Sequence, residues 1–382
     1  MTLASHRRNR ARLLKKIGHR SATCGTSAIG TAQLARERER YLLSHAVQSD
    51  ARHEIWSRDS GKEEADLQWN AAQQAPVVSF EYRRIPDETI SYFHKPRSTS
   101  GVRKICSLPN TLKMWHMLAA DLIVAQHQPR PHIGDWKGRG REWQIDQIVL
   151  ALCSRAQAVV SADITRAFAS VNFDAVYELP YLPEPLIRRA LDYRSHRFIR
   201  RERSEYASDV FRAVRNDDVV CNGICDGVLE KSPSGLMEGS PASNAIFSVL
   251  LDDLPDHLGE GIQAFVYCDN IILIAPTMSC AQRAEEALAR YISEHRAGPF
   301  EMRSSVAYVS ERFEHLGYTL RRFPGLLPDV GIARNGWLKL VDRLFSEPRD
   351  VDDTIKWLKA SYSRCHQSSL DEFFQIADRI AI

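Results

Sequence analysis

Residues Phe265 to Ala275 read Phe-Val-Tyr-Cys-Asp-Asn-Ile-Ile-Leu-Ile-Ala, two short apolar runs flanking a polar pair. Apolar runs this short, broken by residues that tolerate positive φ, predict a tight β-hairpin with Asp269-Asn270 at its tip. A carboxylate at such a tip is held on rigid backbone. A second one, Asp163, ends another mostly apolar run, Ala158 to Ala162. If the two strands are neighbours, both carboxylates face one point, which is how a protein holds Mg²⁺ for phosphoryl chemistry. Taken singly, an Asp-Asn pair is usually only a turn, and an Asp after a strand usually a cap or a surface residue.

The surrounding order makes the neighbourhood plausible. Val159 to Asp163 reads as a strand. Ala242 to Leu254 is an apolar helix after a Gly-Ser-Pro start, and Gln263 to Ala275 is the hairpin. Ala281 to Ala297 is an amphipathic helix closed by Gly298-Pro299, and Phe300 to Val309 a last strand. This β-α-β-β-α-β order is the split βαβ arrangement, which sets the first strand beside the central hairpin. Residues 172–234 interrupt it as an insertion, partly helical over Glu184 to Phe198. Upstream, Val77 to Tyr82 and Ser91 to Phe93 read as strands, and Lys95 to Ile105 as a basic hairpin with a Ser/Gly tip. Leu112 to Ala125 is a helix, and Gly134 to Arg141 a Gly-rich basic loop. Residues 1–75 read as a polar helical extension, with a helical run over Thr31 to His45, and the chain from Arg334 as a helical module.

With 382 residues there is ample length for a sizeable core in two or three subdomains. A net charge of +3 is too small to identify a partner, but its distribution is uneven. Arg7, Arg8, Arg10, Arg12, Lys15, Lys16 and Arg20 occur with no acidic residue among them, a block that could grip a phosphate backbone or stand as a solvated tail. Of eight cysteines only Cys221 and Cys225 are close, with no second pair to complete a zinc site, a usage that suits a reducing compartment. No stretch is apolar enough to span a bilayer and no signal-peptide core is present, so a cytoplasmic protein without membrane contact is expected.

Together, Asp163 with Phe168 five residues on, Glu238-Gly239-Ser240-Pro241-Ala242-Ser243-Asn244, Tyr267-Cys268-Asp269-Asn270 and His315-Leu316-Gly317-Tyr318 form a constellation. It resembles the bacterial reverse transcriptases of retron, group II intron and defence-associated types, from about Lys95 to Leu320. The resemblance implies an α+β right-hand polymerase: N-terminal extension (1–75), fingers (76–155), a βαββαβ palm (156–322) and a helical thumb (323–382). It implies RNA-directed DNA synthesis by two-metal phosphoryl transfer, with Asp163 and Asp269 holding Mg²⁺ and Asn270 beside them in the catalytic hairpin. Phe168 would exclude a ribose 2′-hydroxyl. Glu238, Gly239, Ser240, Pro241, Asn244 and Tyr267 would lie against the incoming dNTP, Lys95 and Arg103 against its triphosphate, and Leu316, Gly317 and Tyr318 would grip the primer. A noncoding RNA as template, a DNA product, a homo-oligomer or partner protein, and a role in antiphage defence are implied in the same way.

The departures point elsewhere. Asn270 stands where the family carries a second Asp, leaving two formal negative charges for two divalent ions, so weaker Mg²⁺ binding and better function with Mn²⁺ are expected. Glu238 replaces a common Gln, and is a candidate to supply the missing charge. No Lys lies between Gly298 and Ser310, where Arg303 is the nearest cation and a guanidinium is a poor proton donor. A catalytically decayed RNA-binding scaffold, or a template-independent or unusual-template DNA polymerase, are the alternative readings.

Overall fold

The computed structural model describes residues 2–23, 28–74, 80–96, 102–200, 220–221, 234–334, 336–337 and 362–364. The fold is mixed α+β with small sheets. It divides into two compact units: residues 1–128, 166–249 and 296–299, and residues 129–165, 250–295 and 300–382. Among the described residues, no helix is long and apolar enough to cross a membrane.

The first unit opens with four helices, α1 (Leu3–Thr23), α2 (Ala28–Leu42), α3 (His45–Asp59) and α4 (Lys62–Gln74). The helical run expected over Thr31 to His45 therefore breaks at Leu43-Ser44, before α3. Both α1 and α3 pack on α5 (Asn110–Gln126), burying Leu13, Ile17, Ile55, Leu118 and Leu122. One cation of the basic block of α1, Arg10, is buried in this bundle. Arg10 sits among Asp50, Glu54 and Asp121, with Nη2 2.6 Å from Asp121 Oδ2 and Nη1 3.1 Å from Asp50 Oδ2. Burial works against its charge, but these carboxylates outweigh that and raise its pKa. Arg7 pairs with Asp50, and Lys16 with Glu37. Arg7, Arg8, Arg12, Lys15 and Lys16 are exposed and keep the character of a solvated basic face; Arg10 does not.

Strands β1 (Thr89–Pro96) and β2 (Val102–Ser107) form the expected basic hairpin, whose tip lies outside the described residues. Residues 75–79 also lie outside them, and Tyr82–Arg84 is a 3₁₀ turn rather than the end of a strand. The region read as an insertion contains short helices α7 (Asp174–Tyr177) and α8 (Glu184–Leu186) and a π turn, Ile187–Leu191. It then supplies a strand to the sheet: β4 (Arg197–Arg200) runs parallel to β1 and carries β5 (Val220–Cys221), giving the order β2-β1-β4-β5. The apolar helix expected over Ala242 to Leu254 is shorter, α9 (Ser243–Leu250), because Pro255 opens a separate 3₁₀ turn.

The second unit is built on α6 (Arg141–Leu152), β3 (Ala158–Thr165), β6 (Gln263–Tyr267), β7 (Asn270–Ala275), α10 (Met278–Glu294) and β8 (Glu301–Tyr308). These strands make one antiparallel sheet in the order β6-β7-β3-β8, with the first strand beside the hairpin as a split βαβ unit requires. Thr277 caps α10 by accepting the Cys280 N–H at 3.1 Å. That helix buries Ala281, Ala284 and Leu288 and packs on β3, β7 and β8. A second small sheet, β9 (Phe313–His315), β10 (Tyr318–Arg321) and β11 (Asp329–Ile332), has the order β11-β10-β9. Its Phe313, Tyr318, Leu320, Val330 and Ile332 join Ile145 and Ile148 of α6 and Val159, Phe265, Ile272 and Ile274 of the larger sheet in one core. Most of the helical module expected from Arg334 lies outside the described residues.

Candidate functional site

Side-chain alternation turns that core into a frame for the acidic residues. Val159, Ile272, Ile274 and Phe265 share one sheet face, and the same face continues along β3 to Asp163. There the register aligns Tyr267 with Asn270, Asn270 with Asp163, and Asp163 with Arg303. Directly opposed residues in antiparallel strands share a face. A phenol, an amide, a carboxylate and a guanidinium thus form one row across four strands, just beyond the apolar core. Asp163 and Arg303 are exposed; Tyr267 and Asn270 are half-buried.

Asp269 lies beside this row. Tyr267 and Asn270 are the closing pair of the hairpin, so its two-residue loop is Cys268-Asp269. The tip is therefore one residue earlier than the expected Asp269-Asn270. The positive φ falls on Cys268, at 53°. Positive φ at the first loop residue alone is the II′ pattern, which normally selects Gly. Cys268 Sγ donates to Asp135 Oδ2 at 3.1 Å. The Ile164 N–H donates to the Asp269 carbonyl at 2.9 Å, tying the loop to the strand end beside Asp163. Asn270 Nδ2 donates to Asp269 Oδ1 at 2.9 Å. Burial, then Cys268 and Asp135, push the Tyr267 phenol pKa upward, so it keeps its proton at neutral pH.

The donor set suits a hard cation: two carboxylates and the Asn270 amide oxygen, all oxygen ligands. Among the described residues, no group of three or more His, Cys, Asp or Glu side chains gathers to hold a metal. Asp163 and Asp269 are the two carboxylates brought to this end of the sheet, Asp135 stands against the same loop through Cys268, and Arg303 lies abreast of Asp163.

Other expected site residues belong to the first unit. Phe168 opens a 3₁₀ turn, half-buried, with its ring 5.2 Å from that of Phe247. The Cys106 N–H donates to the Glu238 carbonyl at 2.8 Å, and the Cys106 thiol is pushed up to about 12 by burial and by the Glu238 charge. Gly239 has φ 100°, and a Cβ there would stand 2.7 Å from the Cys106 carbonyl oxygen, so only glycine fits. Pro241 is half-buried and Asn244 is exposed at the start of α9. Lys95 and Arg103 are opposed in the β1/β2 ladder, and Arg103 is exposed.

Ser240 depends on a residue the sequence did not single out. His116, wholly buried on α5, has Nε2 2.7 Å from the Ala190 carbonyl and Nδ1 2.6 Å from Ser240 Oγ. A carbonyl only accepts, so Nε2 carries the proton. Burial drives the His116 pKa down to about 3, the ring is neutral, and Nδ1 accepts from Ser240. Ser240 Oγ in turn accepts the Ala242 N–H at 3.1 Å. The hydroxyl proton is committed to holding the turn.

Leu316-Gly317 is the two-residue loop joining β9 and β10, with φ 51° and 83°. Positive φ at both residues is the I′ pattern, which Gly317 meets without a Cβ. Tyr318 is fully buried and donates to Glu142 Oε2 at 2.6 Å beneath the Arg141 guanidinium, 5.2 Å from its ring. Burial and the Glu142 charge raise its pKa. The Tyr318 hydroxyl is spent inside the unit, leaving Leu316 and the turn backbone as the outward features of this turn. Periodicity marks Tyr318 as a strand residue, but Glu142 and Arg141 carry no local signal that they cover it. No protein-family model and no curated protein matches the chain.

Proposed function

We propose that the chain is an RNA-directed DNA polymerase that adds dNTPs to a primer by phosphoryl transfer at Asp163 and Asp269. The observation that carries this reading is the strand register, which brings Asp163 and the Asp269 loop, distant in sequence, to one end of one sheet. Asp163 and Asp269 would hold Mg²⁺, which when bound supplies charge for the triphosphate and lowers the pKa of the primer hydroxyl. The Arg303 guanidinium can attract phosphate oxygens but is a poor proton donor. The neutral Tyr267 phenol can donate a hydrogen bond to the incoming nucleotide. Lys95, Arg103, Phe168, Glu238, Gly239, Pro241 and Asn244 keep the nucleotide-side roles described above. His116 fixes the turn through Ser240. The fingers, palm and thumb divisions, a noncoding RNA template, a homo-oligomer or partner protein, a cytoplasmic location and a role in antiphage defence belong to the same reading.

A second reading is favoured by a specific contact. The Asn270 amide donates to Asp269, partly occupying one of the two carboxylates. An RNA-binding scaffold or a template-independent polymerase would tolerate that. Primer extension on RNA and DNA templates, with Mg²⁺ and separately with Mn²⁺, decides. The polymerase reading expects RNA-templated dNTP addition that Asp163→Ala abolishes, stronger in Mn²⁺, with Asn270→Asp restoring Mg²⁺ activity. No addition in either metal, with the wild type well folded, supports the scaffold; addition without a template supports the terminal-transferase-like activity.

A further inference from the structure

The second unit has a cleft at the opposite end of β3 from Asp163. Residues 153–157, which lead into β3, form one wall, and Tyr308, Val309 and Ser310 at the end of β8 another; Arg322, Pro324 and Gly325, in the loop between β10 and β11, complete it. Its volume is about 760 Å³, within the range of small-ligand sites. From Ala158 to Asp163 the strand rises about 17 Å, so this is a separate place from the carboxylate pair.

The lining contains two guanidiniums, Arg155 and Arg322, and no carboxylate. Among the described residues neither is in an ion pair. Arg322 is held in place: its N–H donates to the Val309 carbonyl at 2.6 Å, and Nη1 donates to the Ser154 carbonyl at 2.7 Å. Its buried Nε has no acceptor. Arg155 is exposed. Two cations with no carboxylate partner among the described residues, in one concavity, favour an anion, and a fixed guanidinium favours phosphate oxygens. The lining adds flat apolar surface: Tyr308 is 49% exposed. Aromatic faces beside guanidiniums suit a stacked base next to its phosphate. Ser154 and Ser310 add hydroxyls for a sugar or phosphate.

We infer that this cleft binds one nucleotide unit, the phosphate on Arg155 and Arg322 and the base against Tyr308. The unit can come from a free nucleotide or from a single-stranded RNA. The site does not depend on the carboxylate pair being catalytic.

Cys153 lines the cleft and is exposed, so its alkylation rate reports occupancy on the intact chain. Cys280, at the start of α10, is an internal control. AMP or a uridine homopolymer, at ten times its Kd, should slow Cys153 alkylation about tenfold and leave Cys280 unchanged. Protection by AMP identifies a free nucleotide as a sufficient ligand; protection by the homopolymer alone identifies a strand. Either effect should disappear in Arg155→Glu and persist in Asp163→Ala, whatever the outcome of primer extension. Three results would each overturn the assignment: no protection by either probe, full protection retained in Arg155→Glu, or equal protection by poly-glutamate.

Discussion

Lowering the pH from 7 to 5 should destabilise the protein through His116 by about 2 kcal/mol, from proton linkage alone. The folded pKa is about 3 against an ordinary 6.5, because the ring is wholly buried. The sign follows directly. Below pH 6.5 the unfolded chain binds a proton that the folded chain refuses, so this contribution is complete above 6.5 and is lost as pH falls toward 3. His116→Asn removes the titrating group and retains a short side chain able to accept from Ser240. Urea unfolding followed by circular dichroism at both pH values should show the wild type losing about 2 kcal/mol more than this variant. His132 and His315, whose pKa values are also lowered by burial, titrate in both proteins and cancel in the difference, whereas His196 shares the Ala190 carbonyl with His116 and cancels only in part. Equal losses in wild type and variant would mean that His116 is not the neutral acceptor that fixes Ser240.

Two further outcomes test other parts of the structure. Phe168→Ala should raise rNTP incorporation relative to dNTP in single-nucleotide extension assays; an unchanged ratio would leave Phe168 as a ring that packs on Phe247 and nothing more. Arg10→Met should cost about 3–5 kcal/mol in urea unfolding, because it strands half-buried Asp121 without its cation and leaves buried Asp50 only the exposed Arg7; a loss below about 1 kcal/mol would place those carboxylates in water.

What was legible in the sequence was whatever rests on local period and punctuation. Short apolar runs bounded by polar residues mark β3 and the hairpin, and the order of elements places Asp163 beside the hairpin. The Gly298-Pro299 break lies between α10 and β8. Long-range pairing was not legible. β4 lies in a stretch that reads as an insertion because nothing local announces a parallel pairing with β1 more than a hundred residues earlier. The hairpin tip was misplaced by one residue, since turn propensity favours Asp-Asn whereas the ladder closes at Tyr267 and Asn270 and puts the positive φ on a cysteine. The commitments of Ser240 to His116 and of Tyr318 to Glu142 were also hidden, because both partners lie on distant helices whose sequence only indicates amphipathic packing.

The central claim is that Asp163 and Asp269 hold a divalent ion together. Titration of Mn²⁺ followed by electron paramagnetic resonance, on wild type, Asp163→Asn, Asp269→Asn and the double variant, tests it most directly. Two ligands of one ion should be strongly non-additive: either single substitution should weaken binding nearly as much as both together. Additive losses, or Mn²⁺ affinity indifferent to both substitutions, would contradict a shared ion and with it the nucleotide-joining chemistry proposed for this site.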